Sequence, residues 1–412
     1  MTTKKYKSSR RKFMQIMASL PPAFALSGKN LAADETGVKN RSWNAGNISH
    51  LIPIANHDQI LIKTSFRIPL NENPVLQIGD RLVNGIRSDT RGHFWEFYVN
   101  GLNGNTEYTL QLLSNSKVAL SDPWPLKTFP KPDEKIEKCR ILVYTCAGGN
   151  EDILLEDGTR FFLPIASRQR LLERGLAFQP DLVIANGDHI YWDQITLLSK
   201  SGPLVEAWHD LYRKIGTMDR NIPVLGTDNE KILKRIVDPQ IAHLYGTRLR
   251  STPTYMLTDD HDLFENDEAS DEFISLPPSQ HSLEAARATQ HLYYPEFLPD
   301  ATRPGSLSGS SASDRISGLS EVFGTIRYGN LLEALLYDTK RYVSLNGAKA
   351  GMVPDAVEKW LINRTVSEET SQLMHVPSTP IGWSAGKWGE WYPDILQKDR
   401  TLGTNKAKPY WP

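Results

Sequence analysis

An α/β domain preceded by a small β-sandwich is the fold class this sequence predicts, and three features of the chain predict it. Between about residues 40 and 130 the apolar residues come in short alternating runs. From Arg140 the pattern becomes strand, helix, strand. Two of the later apolar runs, Leu182 to Ala185 and Thr254 to Leu257, end on clusters of acids. Alternation with a period of two marks half-buried strands, whereas apolar runs that alternate with helical stretches mark parallel βαβ units.

The amino terminus is different in kind. Residues 1–33 carry seven Lys and Arg and no acid, with Ser9-Arg-Arg-Lys-Phe-Met-Gln15 just before the apolar stretch Ile16 to Leu26. Paired arginines before a weakly apolar, small-residue-rich segment predict a twin-arginine export signal, cleaved after Ala25 or Ala33, with the twin-arginine export machinery as partner and a periplasmic or secreted destination. Without it the chain keeps 40 basic against 48 acidic residues, a net charge of −8. Such a charge argues against nucleic-acid or anionic-membrane binding, beyond a phosphodiester as substrate. No later stretch is long and apolar enough to span a bilayer, so no integral membrane segment is expected in the mature chain.

The predicted β-sandwich, residues 40–130, contains Ile60 to Phe66, His93 to Val99 and Tyr108 to Leu113, read as alternating strands. Leu102-Asn-Gly-Asn-Thr-Glu-Tyr-Thr-Leu-Gln111 resembles the tyrosine corner of fibronectin type III and immunoglobulin-like domains. Phe129-Pro-Lys-Pro-Asp-Glu-Lys135 reads as a linker. The second domain then runs over residues 136–412. Its first strand, Ile141 to Thr145, lies between the chain's two cysteines, Cys139 and Cys146. Extended chain between them spans about 23 Å, so the strand and a disulfide exclude each other.

Helical patterns follow at Ile165 to Phe178, Leu204 to Ile215 and Glu230 to Leu244. The Ser- and Gly-rich stretch Arg303 to Gly318 reads as a mobile surface loop. Val322 to Asp338 reads as a hairpin turning at Gly329-Asn330, and Val353 to Met374 as a helix.

The residues with chemistry to offer lie at the strand ends. Leu182 to Ala185 reads as a buried strand, Gly187 lets the backbone turn, and Asp188 lands at its carboxyl end, where ligands of open α/β sheets bind. Tyr191 follows. The second cluster is Asp259-Asp-His-Asp262, with Asn266 beyond it. Two acid-rich strand ends predict one shared metal site.

Each of these residues also has a plainer reading. Cys146 alone is a small buried apolar residue and Tyr191 alone a packing residue; Asp259 and Asp262 serve equally as caps or as ligands. Asp338 reads as structural, and His189, His281 and His291 as ordinary histidines. Trp383, Trp388, Trp391 and Tyr392 read as packing residues.

Together, Cys146, Asp188, Tyr191, Asp260, His261 and Asn266 resemble the PhoD-type alkaline phosphatase family of the metallophosphatases. The resemblance extends along the chain in order, through Gly-Asp-His-Ile-Tyr191, Asp-Asp-His-Asp262, Leu336-Tyr-Asp-Thr-Lys-Arg341 and Ser378-Thr-Pro-Ile-Gly-Trp383. It implies a four-layer α/β/β/α sandwich behind an immunoglobulin-like domain, and hydrolysis of a small phosphate ester outside the cytoplasm. It also implies ferric iron (Fe3+) held by Cys146 and Tyr191, calcium (Ca2+) at Asp260 and Asn266, Asp188 bridging the two, and His261 facing the substrate.

Two other functions stay open, a phospholipase or phosphodiesterase of the same scaffold and a degenerate, non-catalytic exported binding protein. The family also completes its site with a late Gly-Asp-x-His strand end. After Asp267 this chain has only His281, His291 and His375, none in such a motif. The expectation is therefore a fragment cut before its last ligands, weak in metal binding and activity.

Overall fold

Apolar alternation places fourteen strands and six helices in the computed structural model, which describes residues 43–192, 203–263, 279–305, 307, 317–342 and 352–379. Strands β1 (Ile48–Ala55), β2 (Ile60–Phe66), β3 (Val75–Ile78), β4 (Arg81–Asn84), β5 (Ile86–Arg87), β6 (Phe94–Val99), β7 (Glu107–Leu113) and β8 (Trp124–Lys127) form two antiparallel sheets. Their orders are β1-β2-β6-β5 and β4-β3-β7-β8. The hydroxyl of Tyr108, near the start of β7, accepts the Asn103 N–H at 2.8 Å across the turn, as the corner motif implies. Cys139 and Cys146 are free thiols, as the strand between them requires.

One expectation fails at β2, which is buried at every position instead of alternating. Its second face lies beneath helix-borne residues: the Lys63 ammonium donates to the His291 carbonyl at 3.0 Å. On the neighbouring strand, His50 Nε2 donates to the Tyr293 carbonyl at 2.9 Å, and its Nδ1 accepts from the Ser65 hydroxyl. The linker reading fails as well. Phe129 is a core residue stacked on Tyr255 and edge-on to Tyr328, and the Asn330 N–H donates to the Glu134 carbonyl at 2.9 Å. Proline-rich composition reports a turn-prone backbone and says nothing of what it packs against.

Burial lowers the pKa of His50 to about 4, since its neutral ring is already satisfied and the imidazolium would be desolvated. An unfolded histidine takes its proton near pH 6.5, so the unfolded state binds more protons as pH falls from 6.5 to 4, and stability falls with it. We expect His50 to cost the fold about 2 kcal/mol between pH 7.5 and pH 5. Urea denaturation at both values checks this. His50→Gln should flatten the slope, and an unchanged slope would refute the assignment.

The following region alternates strands and helices: β9 (Ile141–Tyr144), α1 (Ile165–Leu176), β10 (Leu182–Asn186), α2 (Pro203–Ile215), α3 (Asp228–Gln240), α4 (Ala242–Tyr245), β11 (Thr254–Leu257) and α5 (Gln280–Tyr293). β10 pairs in parallel with both β9 and β11, so all three carboxyl ends share one edge. Successive side chains on a strand point to opposite faces. Accordingly Val183 and Ala185 pack with Leu172, Leu233 and Ile236 from helices α1 and α3. Leu182 and Ile184 pack instead with Ala334 and Leu336.

Those last two belong to a second sheet, order β12-β13-β14, built from β12 (Phe323–Tyr328), β13 (Leu332–Tyr337) and β14 (Gln372–Pro377). Leu335 and Tyr337 on the other face of β13 pack against Val357, Trp360 and Leu361 of α6 (Asp355–Thr365).

Three local expectations need correction. The stretch Glu230 to Leu244 is two helices that meet at Ile241, whose φ of −116° departs from helical geometry; Pro239 lies within the first of them. The stretch Val353 to Met374 is helical only to Thr365; residues Gln372 to Pro377 then pair in parallel with β13. At the predicted surface loop, Arg303 and Leu307 are buried, and Arg303 donates to the Phe323 and Gly318 carbonyls. The rest of that stretch, the export signal and the tryptophan cluster Trp383, Trp388, Trp391 with Tyr392 lie outside the described residues.

Candidate metal centre

Three parallel strands deliver the site. β9 ends in Thr145-Cys146, β10 in Gly187-Asp188 and β11 in Thr258-Asp259-Asp260, followed by a single 3-10 turn at His261–Leu263. Gly187 turns at φ 82°, and a Cβ there would lie 2.4 Å from the Asp259 Cβ, so only glycine lets the two acidic turns approach. Cys146 and Asp188 both hold φ in the left-handed region, at 55° and 57°. Such strain in residues with side chains accumulates at functional sites, where surrounding bonds impose it.

Those bonds come chiefly from Asp262. Its Oδ2 accepts the N–H of Asp188 at 2.7 Å and of Asp259 at 2.9 Å; its Oδ1 accepts those of His189 at 2.8 Å and Ile190 at 3.0 Å. One buried carboxylate thus clamps both acidic turns, which settles Asp262 as a cap. Burial pushes its carboxyl up to about 7, and the four N–H groups pull the other way.

The loop after Cys146 is held in a similar way. Arg168 donates to the carbonyls of Ala147, Gly148 and Gly149, and Gln240 Oε1 accepts from Gly149 N–H at 2.7 Å and Tyr191 N–H at 2.9 Å. Gln240→Met should leave both N–H groups buried and unpaired, costing about 1–3 kcal/mol of stability. It should also weaken cation binding by about tenfold. Gln240→Glu, which keeps the acceptor, should restore most of the binding. Calorimetric titration of the cation decides this, and unchanged affinity in Gln240→Met would confine Gln240 to a structural role.

Within this frame Asp188, Asp259 and Asp260 bring one oxygen each to within 4.8 Å of one another. All three are buried. Among the described residues, Asp188 Oδ1 and Asp260 Oδ2 are buried atoms without a hydrogen-bond partner. Asp188 Oδ2 accepts from the Cys146 thiol at 3.1 Å and the Tyr191 phenol at 3.3 Å. Burial and Asp260 push the Asp188 carboxyl up to about 6, and burial drives Asp259 far above the carboxylate range. The Cys146 thiol is pushed up to about 11 by burial and by Asp188, and the Tyr191 phenol is raised in the same sense. Carboxylates that oppose one another's ionisation and leave oxygens unpaired are what a cation requires of its ligands. These residues therefore fit a metal, with Asp188 offering one oxygen toward thiol and phenol and another unpartnered.

The expected residues fall out as follows. Cys146, Asp188, Tyr191 and Asp260 converge, and the His261 ring lies 4.1 Å from that of Tyr191. Asn266 lies outside the described residues. Asp259 joins the cluster, which sequence left open between ligand and cap. Asp338 is structural, accepting from Thr258, from the Lys340 and Arg341 N–H groups and facing the Arg341 guanidinium. His189 packs inside, donating from Nε2 to the Leu257 carbonyl at 2.7 Å. His375 meets Thr365 and Tyr337 instead of the acids.

Besides Gln240 and Arg168, the sequence reading gave no role to two residues beside the acids. Lys340 is buried, and burial holds its pKa below the ordinary lysine value while Asp259, Asp260, Asp188 and Asp338 pull the other way. Thr379 donates to Asp259 Oδ1 at 2.8 Å. Both lie in segments the sequence singled out, Leu336 to Arg341 and Ser378 to Trp383, where only Asp338 was given a role.

No protein-family model matches the chain, and no curated protein matches it. Among solved structures it is similar to the structure of PhoD, at 14% identity and a TM-score of 0.51 over 80% of this chain and 62% of that one. The chain has a PhoD-like fold. It is also similar to the purple acid phosphatase PPD1 from yellow lupin (Lupinus luteus) seeds, at 14% identity and a TM-score of 0.44 over 79% of this chain and 49% of that one. It spans less than two thirds of the length of either. Among the described residues of the PhoD-like fold no helix is long and apolar enough to cross a membrane.

Proposed function

We propose that this chain is an exported, metal-dependent phosphoesterase of the PhoD-like alkaline phosphatase type, acting on phosphate mono- or diesters in the periplasm or outside the cell. The observation that carries the reading is the buried trio Asp188, Asp259 and Asp260 at parallel strand ends, with unpaired oxygens on Asp188 and Asp260. The likeness to PhoD supports it. The packing of β10 between helices and β13, and of β13 between β10 and α6, supports a four-layer α/β/β/α sandwich. The two antiparallel sheets and the Tyr108 corner support an immunoglobulin-like character for the residues before it.

Asp188 would bridge two cations, a ferric ion on the Cys146 and Tyr191 side and calcium on the Asp260 side, with Asp259 and Asn266 completing the latter. Thiolate and phenolate suit a ferric ion, and carboxylate and amide oxygens suit calcium. Bound cations supply an activated water and stabilise charge on the attacking and leaving oxygens. The chain's own residues do the rest. Asp262, Gln240 and Arg168 hold the ligand turns in their strained conformations, Lys340 offsets the carboxylate charge, and His261 donates a proton or hydrogen bond to the ester oxygens.

Metal analysis of the purified chain, with hydrolysis of p-nitrophenyl phosphate and its bis-ester before and after chelation, tests this. A chain that binds no cation, or one whose hydrolysis ignores chelation, would refute it. Export has its own check, since replacing Arg10 and Arg11 with lysine should hold the protein in the cytoplasm. Normal appearance of that variant outside the cytoplasm would reject the signal.

A further inference from the structure

A cavity of about 430 Å³ opens beside Cys146. Small-molecule sites span about 300–1,000 Å³, so the space suits a ligand of modest size. Two links place it next to the carboxylate cluster. Cys146 lines the cavity while its thiol donates to Asp188. Phe162, another lining residue, lies 5.0 Å from the Tyr191 ring, whose hydroxyl also donates to Asp188.

The walls are chemically plain. Leu142, Leu172 and Leu244 form the depth, and Phe161, Leu163 and Leu171 are exposed at 47%, 60% and 57%. Isolated exposed apolar residues need no explanation, but a contiguous set lining one cavity marks a binding surface. Phe161 and Phe162 are braced edge-on against each other and against Trp208, at 4.9, 5.3 and 5.7 Å, so this rim is a rigid corner. Arg168 is the charged side chain lining the cavity, and its guanidinium is engaged by three backbone carbonyls. Tyr144, Thr145 and Tyr245 bring hydroxyl groups to the lining, but most of the surface is hydrocarbon and suits an apolar group better than a sugar, a carboxylate or a second phosphate.

We propose that this cavity receives the apolar alcohol portion of a phosphate ester whose phosphate sits at Asp188, Asp259 and Asp260. The inference rests on the phosphoesterase reading and narrows it to esters of apolar alcohols, with a linear chain or an aromatic ring as the two sources.

The test is calorimetric binding of methyl-, butyl-, octyl- and phenylphosphonate, which cannot be hydrolysed, to the full metal-loaded chain. Affinity should rise about fourfold for each methylene that enters the cavity, so octylphosphonate should bind far more tightly than methylphosphonate. The phenyl arm separates the sources: a ring-shaped site favours phenyl- over octylphosphonate, a chain-shaped site the reverse. In the double variant Phe161→Asn and Leu171→Asn, both at exposed positions, the octyl advantage should shrink at least fivefold while methylphosphonate binding stays unchanged. 1-Octanol should compete with octylphosphonate but not with methylphosphonate. Equal affinity across the series, with methylphosphonate still bound, overturns the cavity and leaves the phosphoesterase reading intact. Failure of every phosphonate to bind overturns both.

Discussion

Asp188→Asn is expected to weaken cation binding by about a hundredfold or more and, at the same time, to make the metal-free protein more stable. Loss of outer partners alone costs metal sites about 10–100-fold, and Asp188 is a candidate ligand in its own right. The second effect follows from the sign of its pKa shift. Burial and Asp260 raise the carboxyl to about 6 from the ordinary 3.8. The folded state therefore holds the proton to higher pH than the unfolded state. Stability declines as pH rises from about 4 to about 6, and above 6 the whole penalty, about 3 kcal/mol, is present. An amide carries no such penalty. Asparagine also tolerates a φ of 57° better than most residues, so the backbone need not move. Urea denaturation at pH 8 with a chelator, and calorimetry with added cation, read the two effects separately. A variant that is less stable without metal, or that binds the cation as the parent does, would remove Asp188 from the centre of the site.

The fold was legible where local pattern and tertiary environment agree. β10 and β11 were readable because a strand buried on both faces must be continuously apolar, and each is a short apolar run that ends close to glycine or acid. β2 misled because Lys63 and Ser65 make it look alternating, whereas those polar atoms are buried against partners far along the chain. β14 misled because its six residues do not alternate and are easily absorbed into the preceding helix; Thr365 and Val366, β-branched residues with the helix ending between them, were the available signal.

At the site, residue type alone left Cys146 and Tyr191 with plainer readings, and it was the resemblance of the motifs that grouped them with Asp188 and Asp260, residues the structure places together. Residue type could not separate Asp259 from Asp262, two acids three positions apart in one motif. Only the four N–H groups converging on Asp262 distinguish the clamp from the cluster member. Gln240 was invisible for a related reason, since a glutamine in an amphipathic helix reads as surface, yet this one lies on the buried stripe of Leu233, Ile236 and Val237 and faces Gly149 and Tyr191.

Lys63→Met is expected to be the most destabilising single change in the chain, about 3–5 kcal/mol, because it strands buried carboxylates. Lys63 is fully buried in the middle of β2. Its ammonium is bonded to Glu96 on the adjacent strand, lies 3.1 Å from Glu296 beyond α5, and donates to the His291 carbonyl. Methionine matches the volume of the lysine stem, so packing is largely conserved and the loss reports the uncompensated charge. The net worth of such a triad is a different quantity. Taking three charges out of water costs nearly as much as their attraction returns, and well-packed apolar replacements are often neutral or stabilising. The triple variant Lys63→Met, Glu96→Leu and Glu296→Leu should therefore recover most of the stability that the single variant loses. Urea denaturation of the parent, the single and the triple variant at pH 7.5 measures this. If the triple variant is as unstable as the single one, the triad contributes stability outright and the penalty on Lys63→Met is more than stranded charge.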